Sequence, residues 1–119
     1  MAENVQVILL VDDELTPLTI RKLLLQKAGF TILTANSGHE ALDIIQRTEI
    51  ALVVSDHLMP EMTGAQLVAR VKQLRPDLPF MLLSGVNDLP PGAELADLFL
   101  SKLEGPERMT EAVRSLLEK

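Results

Sequence analysis

The sequence predicts an α/β fold, a doubly wound parallel sheet of five strands with helices on both faces. Two observations predict it. Five short apolar runs rich in Val, Ile and Leu recur along the chain, and stretches with helical periodicity and cap signals separate them. Parallel strands need crossover connections, and intervening helices supply them.

The first run, "VQVILLV" (Val5 to Val11), is nearly all apolar, which suits a strand covered on both faces. In "TPLTIRKLLLQKAGF" Thr16 can cap a helix, Pro17 suits its first position and Gly29 its stop. "TILTA" (Thr31 to Ala35) reads as strand two. "SGHE" (Ser37 to Glu40) matches a capping box opening a helix through about Thr48. "IALVVS" (Ile50 to Ser55) is strand three. "TGAQ" (Thr63 to Gln66) opens another capped helix, with Leu67, Val71 and Leu74 on one face. "FMLLS" (Phe80 to Ser84) and "LFLS" (Leu98 to Ser101) are strands four and five. The last helix runs from about Pro106, with Met109, Val113, Leu116 and Leu117 at helical spacing.

A chain of 119 residues, 47% hydrophobic and 24% charged, suits one domain spanning residues 1–119. Its three aromatics are all Phe, so no Tyr or Trp is available for base stacking. A formal net charge of -6 disfavours direct nucleic-acid binding, which rests on clustered Lys and Arg. With no cysteine, disulfides, thiolate zinc sites and thiol nucleophiles are excluded. The N-terminus lacks a signal-peptide pattern, and no run approaches the roughly 18 apolar residues of a membrane span. These features predict a soluble, cytoplasmic protein.

Ligands of such sheets bind outside the carboxyl ends of the strands, near the point where strand order reverses. Strand one ends in Asp12 and Asp13, strand three in Asp56, strand four in Ser84 and strand five in Lys102. A lone Asp after a strand is ordinarily a turn former or a cap. Three on one rim repel one another unless a cation neutralises them. Oxygen ligands of this kind favour Mg²⁺ or Mn²⁺. Lys102, Ser84 and the metal could then each hold one oxygen of a phosphoryl group, leaving one carboxylate to attack and form an aspartyl phosphate.

"VILLVDDE", "LVVSDHLMPEMTG", "MLLSG" and "LFLSKL" together resemble the strand-end motifs of the receiver domain of two-component response regulators, and the resemblance covers essentially the whole chain. It implies a flavodoxin-like strand order 2-1-3-4-5, with Asp56 as phosphoacceptor. It implies that Asp13, Asp56 and the backbone carbonyl of Leu58 ligate Mg²⁺, with Asp12 acting through a metal-bound water. Ser84 and Lys102 would contact the phosphoryl group, and Ser84 and Phe99 would be the switch residues. The implied partners are a histidine kinase or histidine phosphotransfer protein and a downstream output domain or protein. The protein itself would be a monomer or a weak phosphorylation-dependent dimer. Leu58 and Val86 occupy the positions that tune hydrolysis in the family, and both are apolar here. His57 reads as a variable neighbour of Asp56, and His39 as a surface residue.

Two departures from the family stand out. The segment between Ser84 and Lys102 is short, and Pro90 and Pro91 leave room for only one or two helical turns over residues 91–96. Leu103 follows Lys102 where the family has a proline, so a trans bond is expected there. Two alternatives share the strand-end chemistry or the fold: a haloacid-dehalogenase-type phosphatase, and a degenerate receiver serving only as a binding scaffold.

Overall fold

Five parallel strands stand in the order β2-β1-β3-β4-β5 in the computed structural model, which describes residues 5–85 and 90–118. They are β1 (Val7–Val11), β2 (Thr31–Ala35), β3 (Leu52–Asp56), β4 (Phe80–Ser84) and β5 (Leu98–Ser101). The helices are α1 (Leu15–Lys27), α2 (Gly38–Arg47), α3 (Gly64–Leu74) and α4 (Pro106–Leu117). Between β4 and β5 the expected short helix is a single 3₁₀ turn, Ala93–Leu95, entered through Gly92 at φ +87°.

Alternation along each strand divides the core into two layers. Ile8, Leu10, Val54, Leu83 and Leu100 pack under α1 and α4. Leu9, Val53, Phe80 and Leu82 pack under α2, α3 and the 3₁₀ turn. β3 and β4 are buried along their whole length, as expected of central strands in a doubly covered sheet.

The helices follow their cap chemistry, with local departures. The Thr63–Gln66 box forms in full, each side chain bonding the other residue's backbone N–H. At α2, Ser37 Oγ accepts from the Glu40 N–H, but the Glu40 carboxylate reaches the Asn36 N–H at 2.6 Å rather than that of Ser37. α1 begins earlier than Thr16 suggests. Its N-cap is Glu14, whose N–H donates to Asp12 Oδ1 at 3.0 Å, so the strand-end aspartate shapes the turn into the helix. Gly29, at φ +102°, stops α1: its N–H donates to the Gln26 carbonyl and that of Phe30 to the Leu25 carbonyl, a Schellman motif.

In α3, Leu67 and Val71 are buried, but Leu74, at the last position of the helix, is half exposed. All peptide bonds of the described residues are trans, including that at Leu103.

Candidate functional site

Register brings the strand ends level. Val11 pairs with Ala35 on one side and with Ser55 on the other, so Asp12 and Asp56 leave the sheet at the same height. β1 lies between β2 and β3, which is where chain order reverses, so both carboxylates stand at the switch point of the sheet. Asp56 is paired through Leu83 to Leu100, and Lys102 follows two residues further on. Asp12, Asp56 and Lys102 share strand parity with Leu10, Val54 and Leu100, on the side of the sheet covered by α1 and α4.

One carboxylate oxygen from each of Asp12, Asp13 and Asp56 lies within 4.8 Å of the others. Asp12 is fully buried, Asp56 is 3% exposed, and Asp13 faces solvent. Lys102 Nζ stands 2.5 Å from Asp56 Oδ1. Burial pushes the Asp56 carboxyl above its ordinary value, the hydrogen bond from Lys102 pulls it back, and the nearby charge of Asp12 pushes it up again. Asp13 has no hydrogen bond or ion pair among the described residues, which leaves its oxygens open to a ligand. An all-oxygen cluster of three carboxylates, one of them unpaired, fits a hard divalent cation such as Mg²⁺.

Of the other expected residues, Ser84 lies at a strand end and Phe99 within β5. Ser84 is buried at the end of β4, and its carbonyl accepts from the Lys102 N–H at 2.8 Å. Phe99 is half-buried, packs on the α2/α3 layer and lies two residues before Ser101, the strand partner of Ser84. Leu58 stands two residues past β3 with its side chain 67% exposed. Val86 lies outside the described residues.

Sequence singles out neither Arg21 nor Gly64, and it gives His57 no positioning role. Arg21 of α1 ion-pairs with Asp12 Oδ2 at 2.7 Å. Its signal was present: it sits three residues after Leu18 and four before Leu25, both buried, so a cation interrupts the apolar stripe of α1. His57 is more than a variable neighbour, because its Nδ1 accepts from the Ala65 N–H at 3.3 Å and its carbonyl accepts from the Gly64 N–H at 2.8 Å. With Thr63 Oγ1 accepting from the Gln66 N–H, the first three N–H groups of α3 are all paired, two of them to the residue after Asp56. Gly64 is required there. A Cβ at this position would lie 2.6 Å from the Asp56 carbonyl oxygen and 2.8 Å from His57 Cα. The loop between β3 and α3 is thereby drawn tight, with Met59 and Met62 buried as anchors and Glu61 in the left-handed region at φ +69°.

A family model described as the response regulator receiver domain matches residues 8–114. The transcriptional regulatory protein GlrR of Escherichia coli is 32% identical over 115 residues, covering 93% of this chain and 26% of that protein. The sensor kinase CckA of Brucella abortus is 35% identical over 120 residues, covering 94% of this chain and 12% of that protein. This chain therefore spans about a quarter or less of these two relatives. Among solved structures, the response regulator TrrA of Thermotoga maritima, in complex with Mg²⁺ and BeF, is 32% identical. It superposes with a TM-score of 0.84 over 94% of this chain and 99% of that one.

Proposed function

Because the chain belongs to the response regulator receiver domain family, we propose that Asp56 is the residue on which it accepts a phosphoryl group, and that Asp12, Asp13 and Asp56 hold Mg²⁺ for that transfer. The observation that carries this reading is the Lys102–Asp56 ion pair at the centre of a three-carboxylate cluster. Asp56 is the carboxylate of the three that a cationic side chain from another strand end contacts directly, so a phosphoryl group formed on it finds a counter-ion already in place.

The donor in this reading is a phosphohistidine on a histidine kinase or a histidine phosphotransfer protein. An Asp56 carboxylate oxygen attacks phosphorus, a P–O bond forms as the P–N bond breaks, and the imidazole leaves with its electron pair. A divalent cation in the cluster, Mg²⁺ or in its place Mn²⁺, would offset charge on the phosphoryl oxygens. Lys102 Nζ, freed from a carboxylate whose charge the new bond consumes, holds a phosphoryl oxygen. Ser84 donates to another, and movement of its β4 end is passed to Phe99 through the shared α2/α3 face. The backbone carbonyl of Leu58 would complete the metal ligands. Output passes to a domain or protein that reads this change.

The test is intact-mass analysis after incubation with acetyl phosphate and Mg²⁺, with and without EDTA. The wild type gains one phosphoryl group only when Mg²⁺ is present, and Asp56→Asn gains none. A full-strength adduct on Asp56→Asn sinks the assignment. Hydrolysis of a small-molecule phosphate with many turnovers would favour the phosphatase alternative.

A further inference from the structure

Asp12 has both carboxylate oxygens engaged before any metal arrives. Oδ1 accepts from the Glu14 N–H at 3.0 Å, and Oδ2 is held by Arg21 Nη1 at 2.7 Å. The Arg21 side chain is 16% exposed and Asp12 is fully buried, so this is a shielded pair rather than a surface contact. Arg21 also acts on Asp56, where its charge opposes the effect of burial. On its other side, Arg21 lines a cavity of about 150 Å³ between α1 and the start of α4, together with Lys102, Glu104 and apolar groups that include Leu24 and Met109. The rim thus carries three carboxylates and two cations, and the second cation comes from a helix rather than from a strand end.

We propose that Arg21 is a positioning residue that serves as a built-in counter-ion to Asp12, competing with the divalent cation and setting its affinity. This rests on the metal reading above. Two charges of the same sign oppose each other: Arg21 stabilises the metal-free rim, and a divalent cation entering beside Asp12 meets its repulsion. A unit charge a few ångströms from a divalent cation, near a protein surface, shifts affinity by at least on the order of tenfold. Removing Arg21 does not release Asp12, because the Glu14 N–H still holds Oδ1. The electrostatic gain therefore exceeds the loss of placement. The cavity beside Arg21 gives the guanidinium room to withdraw as the cation enters.

Mg²⁺ is titrated calorimetrically against the wild type, Arg21→Met, Arg21→Lys and Asp13→Ala, and thermal melts are recorded with EDTA and with Mg²⁺. Arg21→Met should bind Mg²⁺ on the order of tenfold more tightly, melt lower in EDTA and gain more from Mg²⁺ than the wild type does. Arg21→Lys, which keeps the charge, should stay close to the wild type, a pattern that a purely structural role for the arginine would not produce. Unchanged or weaker Mg²⁺ affinity in Arg21→Met overturns the proposal, while loss of binding in Asp13→Ala in the same experiment leaves the metal reading standing. If neither the wild type nor Arg21→Met binds Mg²⁺, both readings fall. Should Arg21→Met not fold, the Arg21 Nε–H resonance of the wild type, assigned by its loss in Arg21→Lys, decides the matter. It must shift across the Mg²⁺ titration, and a signal that stays fixed while the cluster saturates overturns the proposal.

Discussion

Lys102 Nζ lies 2.5 Å from Asp56 Oδ1, pairing a side chain 28% exposed with one that is 3% exposed. The lysine keeps contact with water while the carboxylate does not, so the pair is unequal. Asp56 depends on Lys102 more than Lys102 depends on Asp56.

Lys102→Met should therefore destabilise the metal-free protein at neutral pH by about 1.5–3 kcal/mol, the range for a hydrogen bond to a charged group. Urea denaturation measures it. Adding Asp56→Asn should recover most of the loss, because the buried charge that needed a partner is then gone. An unchanged urea midpoint in the single variant would show that the pair contributes nothing.

Asp56→Asn alone should raise the melting temperature in EDTA, with a defined pH dependence. Burial raises the Asp56 carboxyl above its ordinary value of 3.8, so the folded chain holds that proton more tightly than the unfolded chain does. The contribution of Asp56 to stability is then fully present below the ordinary value and is lost as pH rises through the folded one. Asparagine does not titrate. The stability advantage of the variant should be largest and flat at neutral pH, and should shrink as pH falls toward 3.8. Paired melts across this range check the sign.

Gly64→Ala and Gly29→Ala should behave differently. A Cβ at Gly64 meets the Asp56 carbonyl oxygen and His57 Cα, both backbone, and a cost of about 1–3 kcal/mol is expected, together with slower phosphoryl acceptance. At Gly29 there is open space around the added carbon, and the strain comes from φ +102° alone, about 1–2 kcal/mol. Phosphoryl acceptance at saturating acetyl phosphate should stay at the wild-type rate in Gly29→Ala. Equal acceptance rates in both variants would separate Gly64 from the site.

Leu58→Asn should shorten the life of the phosphorylated form several-fold. The Leu58 side chain, two residues after Asp56, stands exposed and offers no group to orient an attacking water, whereas an amide can both donate and accept. Decay of phospho-protein after donor removal measures it. If the wild type already decays within seconds and the variant no faster, the apolar side chain is not what slows hydrolysis.

Much of the site was written in local sequence. Strand-end carboxylates after apolar runs are legible because a buried strand in a parallel sheet must be almost wholly apolar, so Asp12, Asp13 and Asp56 stand out where the runs stop. The bounds of β2, β4 and β5 and the Thr63–Gln66 box were legible for the same reason: cap and strand signals act over a few residues. Thr16 is not the cap because the turn into α1 is closed two residues earlier, by the Asp12 side chain on the Glu14 N–H.

Sequence by itself determined the fold class, the five strands, and the carboxylates and lysine that end three of them, since each depends on neighbours within a few residues. Tertiary structure alone decided how those groups meet. Register set Asp12 level with Asp56, the crossover of α1 brought Arg21 onto Asp12, and the closeness of α3 to β3 made Gly64 obligatory and gave His57 a helix end to bind. Such pairings join residues separated by whole secondary-structure elements, and their energies come from burial and charge at contacts that form only when the sheet and its helices close together.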